Sequence, residues 1–100
     1  MILNERETPQ GLLVSVCDAD ILGESFEDGD VSITVTEEFY GGDACDEAAV
    51  IASLERAAVA NLVGEEVVAL AIDAGIVDED NVLEIGATRH AQVLNLAHLE

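Results

Sequence analysis

The polar residues with the clearest chemical potential lie near the end of the chain, at Arg89, His90 and Gln92. Alternate residues of an extended segment point to the same face, so His90 and Gln92 are expected to lie side by side. An arginine beside a histidine can hold a carboxylate or a phosphate. The simpler alternative is that Arg89 pairs with a neighbouring acid and His90 is a hydrogen-bonded residue covering a sheet edge. Arg89, His90 and Gln92 are therefore predicted as candidate binding residues.

A second candidate is the aromatic and glycine segment from Phe39 to Gly42, which is expected to form a loop. An exposed aromatic ring can stack on a nucleic-acid base, and glycines allow a close approach of the backbone. The chain has only 2 phenylalanines and 1 tyrosine, so a core position is expected for Phe39. Tyr40 is accordingly the aromatic residue predicted to take part in binding.

A thiol enzyme is the alternative suggested by Cys17 and His90. A nucleophilic cysteine needs its pKa lowered by a cation or a helix N-terminus. The aspartate that follows Cys17 gives the opposite electrostatics, and free cysteines are usually small buried apolar residues. Cys17 is thus a weak candidate, and no catalytic residue is predicted.

Metal and nucleotide sites are not expected either. Cys17, Cys45, His90 and His98 contain no closely spaced ligand pair of the kind that structural zinc sites use. The acids between Asp18 and Asp30 do not match a calcium-binding loop, and no glycine-rich phosphate-binding motif occurs. No cofactor is therefore predicted.

The charge balance is the most extreme feature of the composition. Asp and Glu number 22 against 3 arginines and no lysine, which gives a formal net charge of -19. At molar salt the Debye length shrinks to about 3 Å, and the self-repulsion of such a chain largely disappears. We interpret the acidity as adaptation to a salt-rich cytoplasm. Partner class does not follow from this charge, because molar salt also removes most of the electrostatic term in nucleic-acid binding.

The rest of the composition indicates one folded domain. Half of the residues are hydrophobic and the mean hydropathy is +0.31, which argues against disorder. A compact domain is expected over residues 1–98, and the Leu-Glu ending at 99–100 is typical of a tag remnant. Two unpaired cysteines and the lack of a signal-like or membrane-spanning stretch favour the cytoplasm.

The elements that would position the candidate residues follow from periodicity and turn signals. A hairpin is predicted from residues 2–7 and 12–17, followed by a helical turn over 19–23 and a strand over 31–35 that buries its aliphatic face. Helices are predicted over 46–62 and 65–74 as a connected pair, a strand follows over 82–85, and an extended segment begins at 89. The predicted fold class is α+β, with two layers: a mainly antiparallel sheet and a pair of helices packed on one face.

Several short segments resemble an archaeal domain-of-unknown-function family, number four hundred and twenty-four. These segments are Cys17-Asp18, Leu22-Gly23, Phe39-Tyr40 with Gly42, Asn61-Leu62-Val63-Gly64, Ala71-Ile72 with Gly75, and His90-Ala91-Gln92. The family pattern has proline before the histidine, where this chain has Arg89. The resemblance implies a small archaeal cytosolic α+β protein, here a haloarchaeal member, with no established activity. Family genes near those for translation initiation make a link to the ribosome or RNA the leading expectation.

Three functional hypotheses follow, in order of preference. The first is a non-enzymatic accessory protein that contacts the ribosome, RNA or a translation protein through Tyr40, Arg89, His90 and Gln92. The second is a homo-oligomeric structural module, and the third is the thiol enzyme based on Cys17 and His90. No membrane partner is expected.

Overall fold

A computed structural model describes residues 1–94 of the chain. The strands are β1 (Ile2–Thr8), β2 (Gly11–Cys17), β3 (Ser25–Asp28), β4 (Val31–Thr34), β5 (Asp43–Ala44), β6 (Val59–Val63), β7 (Leu83–Ile85) and β8 (Thr88–Leu94). The α-helices are α1 (Glu37–Tyr40), α2 (Glu47–Arg56) and α3 (Glu65–Asp73), and 3-10 turns cover Ala19–Ile21 and Glu79–Asn81. The predictions for His98 and the 99–100 ending lie outside the described residues.

Six strands form one sheet in the order β5-β1-β2-β6-β8-β7. All neighbouring pairs are antiparallel except β2 and β6, which run parallel. Strands β3 and β4 form a separate hairpin. The predicted α+β class and the mainly antiparallel sheet are confirmed, and the expected two-stranded start is β1 paired with β2.

The prediction of one helix over 46–62 is wrong in its second half. Helix α2 ends at Arg56, and residues 59–63 form β6 in the interior of the sheet. The run Val-Ala-Asn-Leu-Val fits helical and strand periods equally well, as short apolar runs do. Pairing with both β2 and β8 satisfies the backbone hydrogen bonds of β6 on two sides. This long-range pairing favours the strand over the helix. The two main helices are consequently separated by a strand instead of forming a connected pair.

The strand predicted over 31–35 also differs from expectation. It is β4 of the small hairpin, where Val31 is 45% exposed, Ile33 is half-buried and only Val35, just beyond the strand, is fully buried. Its partner β3 lacks a clear alternation of apolar residues and was not predicted. A two-stranded hairpin buries its apolar side only where it packs on another layer, so the aliphatic face is covered at one end alone.

Two apolar cores lie on opposite sides of the sheet. The larger core joins α2 and α3 to one face of the sheet through Val14, Val16, Val50, Leu54, Ala60, Leu62, Val67, Val68, Ala71 and Ala91. The smaller core lies under the hairpin and α1 and contains Cys17, Val35, Tyr40 and Val63. The helices therefore share one face, as predicted, and the opposite face carries a smaller cover.

One buried carboxylate fixes the position of α3. Asp18 follows β2 and is 5% exposed, and its two oxygens accept hydrogen bonds from the backbone N–H groups of Glu66 and Val67 at 3.0 and 2.9 Å. This carboxylate takes the place of an N-cap side chain, because the N-cap residue itself is Gly64. Gly64 has a φ of +124°, and a Cβ atom there would collide with the Asp18 carboxylate. The end of β2 and the turn before α3 thus depend on each other.

Asp18 differs from the other acids in its burial. Every other acidic side chain in residues 1–94 is exposed, including Asp20 two residues later. The exterior is thus the region in which mutual repulsion of carboxylates acts. None of the helices in the described part of the chain is long and apolar enough to span a membrane.

Replacing Asp18 by alanine should destabilise the protein by about 2 kcal/mol, since two charge-assisted bonds to a helix N-terminus are lost. Asp18→Asn should cost about half as much, because the amide keeps one acceptor oxygen. The measurement is urea unfolding in molar KCl. Asp20→Ala removes the same charge from an exposed neighbour, so equal effects of the two alanine variants would contradict the capping role.

The stability of the fold should rise strongly with salt. Between about 0.1 M and about 2 M KCl the screening length falls from roughly 10 Å to a few Å, and repulsion among the exposed carboxylates is removed. We expect the thermal midpoint, followed by circular dichroism, to increase over this range. An equal osmolality of sucrose controls for general exclusion effects, and a midpoint that is insensitive to KCl would contradict the interpretation of the acids as salt adaptation.

Candidate functional site

The two faces of the sheet differ in charge as well as in cover. Strand alternation and the pairing register place the acids of the sheet, Glu5, Glu7, Asp43 and Glu84, on the face that carries α2 and α3. The opposite face carries no acidic side chain in any of its six strands within residues 1–94. In a chain with 22 acids, this face is an exception.

The acid-free face is covered only in part. A cross-strand row formed by Ile2, Cys17, Val63 and His90 lies at one end, where Ile2, Cys17 and Val63 belong to the smaller core. The side chains of α1 and the hairpin that pack over it include Ile33, Phe39 and Tyr40. His90 is half-buried at the border of this cover.

Two further rows lie beyond the cover and form what we call the open face. The amide row runs across four strands through Asn4, Ser15, Asn61 and Gln92. The aliphatic row runs parallel to it, through Leu13, Val59 and Leu94, with Arg6 at its β1 end. The open face therefore combines uncharged polar groups with an apolar strip and carries one basic side chain.

The open face is accessible mainly on its β6 and β8 side. Leu94 is 60% exposed, Gln92 is exposed and Asn61 is half-buried, whereas Ser15 is only 2% exposed. Within residues 1–94 the side-chain amides of Asn61 and Gln92 make no hydrogen bond. In this part of the chain, the donor and acceptor groups of both amides are therefore unused.

The β1 side of the open face is tied to α1. The Asn4 amide nitrogen donates to the carbonyl oxygen of Gly41 at 2.7 Å, and an Arg6 guanidinium nitrogen donates to the carbonyl oxygen of Glu38 at 3.0 Å. These bonds hold α1 against the edge of the face and place Glu37 and Glu38 beside it. The margin of the open face is therefore acidic although its surface is not.

The four predicted binding residues do not all converge. His90 and Gln92 lie on the same face of β8, one row apart, as the alternation predicts. Tyr40 is on the same side of the sheet but is 4% exposed, and its ring packs edge-on against Phe39 with centroids 4.9 Å apart. Phe39, expected in the core, is the more exposed of the two aromatic residues. Tyr40 is therefore part of the cover over one end of the acid-free face and is not available as an exposed binding residue.

Arg89 points to the other side of the sheet, as the residue between His90 and Ala91 in a regular strand. It lies opposite Glu84 in the β7 and β8 ladder and lines a shallow depression of about 210 Å³ with Glu79, Val82 and Glu84. No ion pair of Arg89 forms within residues 1–94. The expected combination of Arg89 with His90 in one site is not what the strand geometry produces.

Burial lowers the pKa of His90 below its usual value. The imidazole is therefore neutral at neutral pH, with one nitrogen donating and the other accepting. His90 adds a further uncharged polar group at the border of the open face and does not supply a cation for phosphate.

Asn4, Arg6 and Asn61 are functional candidates that the sequence did not reveal. Asn61 was assigned to a helix, and Asn4 and Arg6 stand among strand residues with no motif of their own. Val59, Asn61 and Val63 share one side of β6, but the run Val-Ala-Asn-Leu-Val fits helical and strand periods equally well, so no local signal identifies Asn61 as a strand residue.

The geometry does not support an activated thiol at Cys17. Its side chain is fully buried, and burial together with the charge of Asp18 raises its pKa to about 11. Val63 lies between Cys17 and His90 in the row, which separates the two backbones by roughly 10 Å, two strand spacings. No group of three or more metal-ligating side chains occurs among residues 1–94.

Alkylation should distinguish the two cysteines. At about pH 8 a thiol with a pKa of about 11 is only about 0.1% ionised, so Cys17 should resist iodoacetamide in the native protein. We expect mass spectrometry to find modification of the half-buried Cys45 first and of Cys17 only after unfolding. Native modification of Cys17 at the rate of Cys45 would revive the thiol-enzyme hypothesis.

Comparison with known proteins gives one family and one fold relative. A crystal structure of an uncharacterized conserved protein from Methanopyrus kandleri matches with a TM-score of 0.77 and 24% sequence identity, covering 94% of this chain and 92% of that one. This likeness shows a shared fold. No curated protein sequence matches the chain. A family model described as a protein of unknown function, DUF424, matches residues 5–96. Because this range spans nearly the whole sequence, the chain belongs to the DUF424 family.

Proposed function

We propose that this protein is a non-enzymatic accessory protein of translation or RNA metabolism, that it acts in the cytoplasm, and that the open face is its contact surface. The observation that carries the proposal is the absence of acids from this face of the sheet. The residues of the open face on β6 and β8 contribute aliphatic side chains and two amides without partners in the described chain.

The composition of the open face is that of an interface. Charged residues are depleted from the centres of protein interfaces, because an unpaired charge loses its hydration on binding. A surface adapted only to salt water would carry acids here as it does elsewhere. Amides can donate and accept at once, and they provide specificity without the desolvation cost of an ion.

The chemistry of the same face supports binding over catalysis. Its polar groups are amides, a nearly buried serine, a neutral histidine and the Arg6 guanidinium. The nearest thiol, Cys17, has its pKa raised to about 11 by burial and by Asp18. A nucleophile paired with a base within hydrogen-bond reach is what a covalent mechanism needs. Ser15 and Asn61 are instead cross-strand neighbours in the amide row.

Co-sedimentation tests the proposal. Purified protein is mixed with ribosomes from an archaeon that grows in molar salt, and the bound fraction is measured after pelleting in molar KCl. The wild-type protein should pellet with the ribosomes. Gln92→Glu places an isosteric charge on the open face and should weaken binding about tenfold, which corresponds to about 1.4 kcal/mol.

Asn81→Asp is the matched control for this experiment. Asn81 is exposed in the 3-10 turn Glu79–Asn81, so the same kind of amide-to-acid change adds the same charge away from the two rows. Binding of this variant should equal that of the wild type. The proposal fails if the wild-type protein remains in the supernatant, or if both variants lose binding equally.

A further inference from the structure

We infer that the partner of the open face is a protein segment with an aliphatic centre and basic margins, and that RNA does not bind there. This inference rests on the proposed function, in that it specifies the partner of the same surface. Its basis is the set of chemical groups that the two rows offer and the set that they lack.

The open face lacks the groups by which proteins hold single-stranded RNA. No aromatic side chain belongs to either row, so bases have no ring to stack on. Arg6 is the only cation, and its guanidinium already donates to the Glu38 carbonyl oxygen. His90 is neutral because burial lowers its pKa. The single guanidinium of Arg6 cannot neutralise a phosphate chain, because nucleic-acid backbones are held by several cations.

The groups that are present suit a polypeptide. Leu13, Val59 and Leu94 form a continuous aliphatic strip that belongs to neither apolar core. Such a strip gains from burial against aliphatic side chains, at about 25 cal/mol per Å². The adjacent amides of Asn61 and Gln92 can bond to a peptide backbone, which offers both a donor and an acceptor at each residue.

The charge around the open face predicts the charge at the margins of the partner. Glu37 and Glu38 stand beside the β1 end of the face, and the other exposed acids of residues 1–94 also lie outside it. Basic side chains around an aliphatic centre would meet these carboxylates at contact distance, where salt screens partly buried pairs much less than exposed ones, whereas acidic side chains would be repelled there. The partner is thus a basic protein segment.

The area of the open face favours a protein segment over a second copy of this chain as the partner. Four strands at about 4.8 Å spacing and two rows give an area of roughly 300 Å², allowing for side-chain width. A stable dimer buries about 800 Å² on each partner. Two copies would also press acidic margins into direct contact, where partly buried like charges are screened much less by salt.

The test uses purified protein in about 2 M KCl, where non-specific attraction between charges is screened. Three probes are titrated and amide chemical shifts are followed by NMR: a short peptide of alternating arginine and valine, an equally charged peptide of alternating arginine and glycine, and a single-stranded RNA oligonucleotide of mixed sequence. The arginine and valine peptide should shift resonances of β6 and β8 on the open face. The other two probes should leave these resonances unchanged.

A pair of variants locates the effect. Leu94→Glu places an acid in the aliphatic row and should weaken binding of the arginine and valine peptide at least about tenfold. Val31→Glu makes the same kind of change at a 45% exposed valine on β4, outside the two rows, and should have no effect. Light scattering on the same samples should show a monomer.

Each contrary outcome overturns the inference. Shifts of the open face with RNA would assign it to nucleic acid, and equal responses to the two peptides would indicate charge attraction alone. A dimer abolished by Leu94→Glu would assign the face to a second copy. If an excess of protein-free ribosomal RNA abolishes ribosome binding, the result would likewise identify RNA as the partner. Failure to pellet with ribosomes, together with specific binding of the arginine and valine peptide, would refute the translation link and leave the inference standing.

Discussion

The bonds from the Asp18 carboxylate to the start of α3 are the interaction on which the arrangement of the other elements depends. They join the end of β2 to the N-terminus of a helix that begins far along the chain, after β6. Gly64 makes the approach possible, since any larger residue would displace the carboxylate. The Asp18 N–H also donates to the Val63 carbonyl oxygen, and the Gly64 N–H donates to the Arg89 carbonyl oxygen. The ends of β2, β6 and β8 therefore meet at one point. Helix α3 starts from that point and covers one face of the sheet.

That geometry leaves the opposite face to the short segment between β2 and α2. This segment supplies the hairpin and α1, whose apolar side chains cover only the row containing Cys17 and Val63. A chain of 100 residues has limited material for a second layer. The part of the sheet that remains uncovered carries no carboxylate, although 20 acids are exposed elsewhere in residues 1–94. This contrast is the basis of our proposal that the open face is a contact surface.

The acids themselves divide into two physical classes. The exposed majority face solvent, and their mutual repulsion is the property that salt screens. Asp18 is the exception, being buried and held by two backbone N–H groups. The composition alone could not separate it from the others. A surface that lacks acids is informative because exposed acids are frequent elsewhere in this chain.

The sequence by itself determined the features that arise within a few residues. The β1 and β2 hairpin follows from a turn signal between two runs of strand formers, and α3 follows from helical spacing closed by Gly75 in the left-handed region. The same-side placement of His90 and Gln92 needed only strand alternation. Tertiary structure decided whatever depends on distant partners. Residues 59–63 became a strand because β2 and β8 satisfy both of their edges, and a window of five apolar or small residues contains no trace of that. The same pairing aligned Asn4, Ser15, Asn61 and Gln92, which come from four separated segments, and it turned Arg89 away from them. A binding face assembled across strands is a property of register, and register is set by long-range pairing that local sequence does not encode.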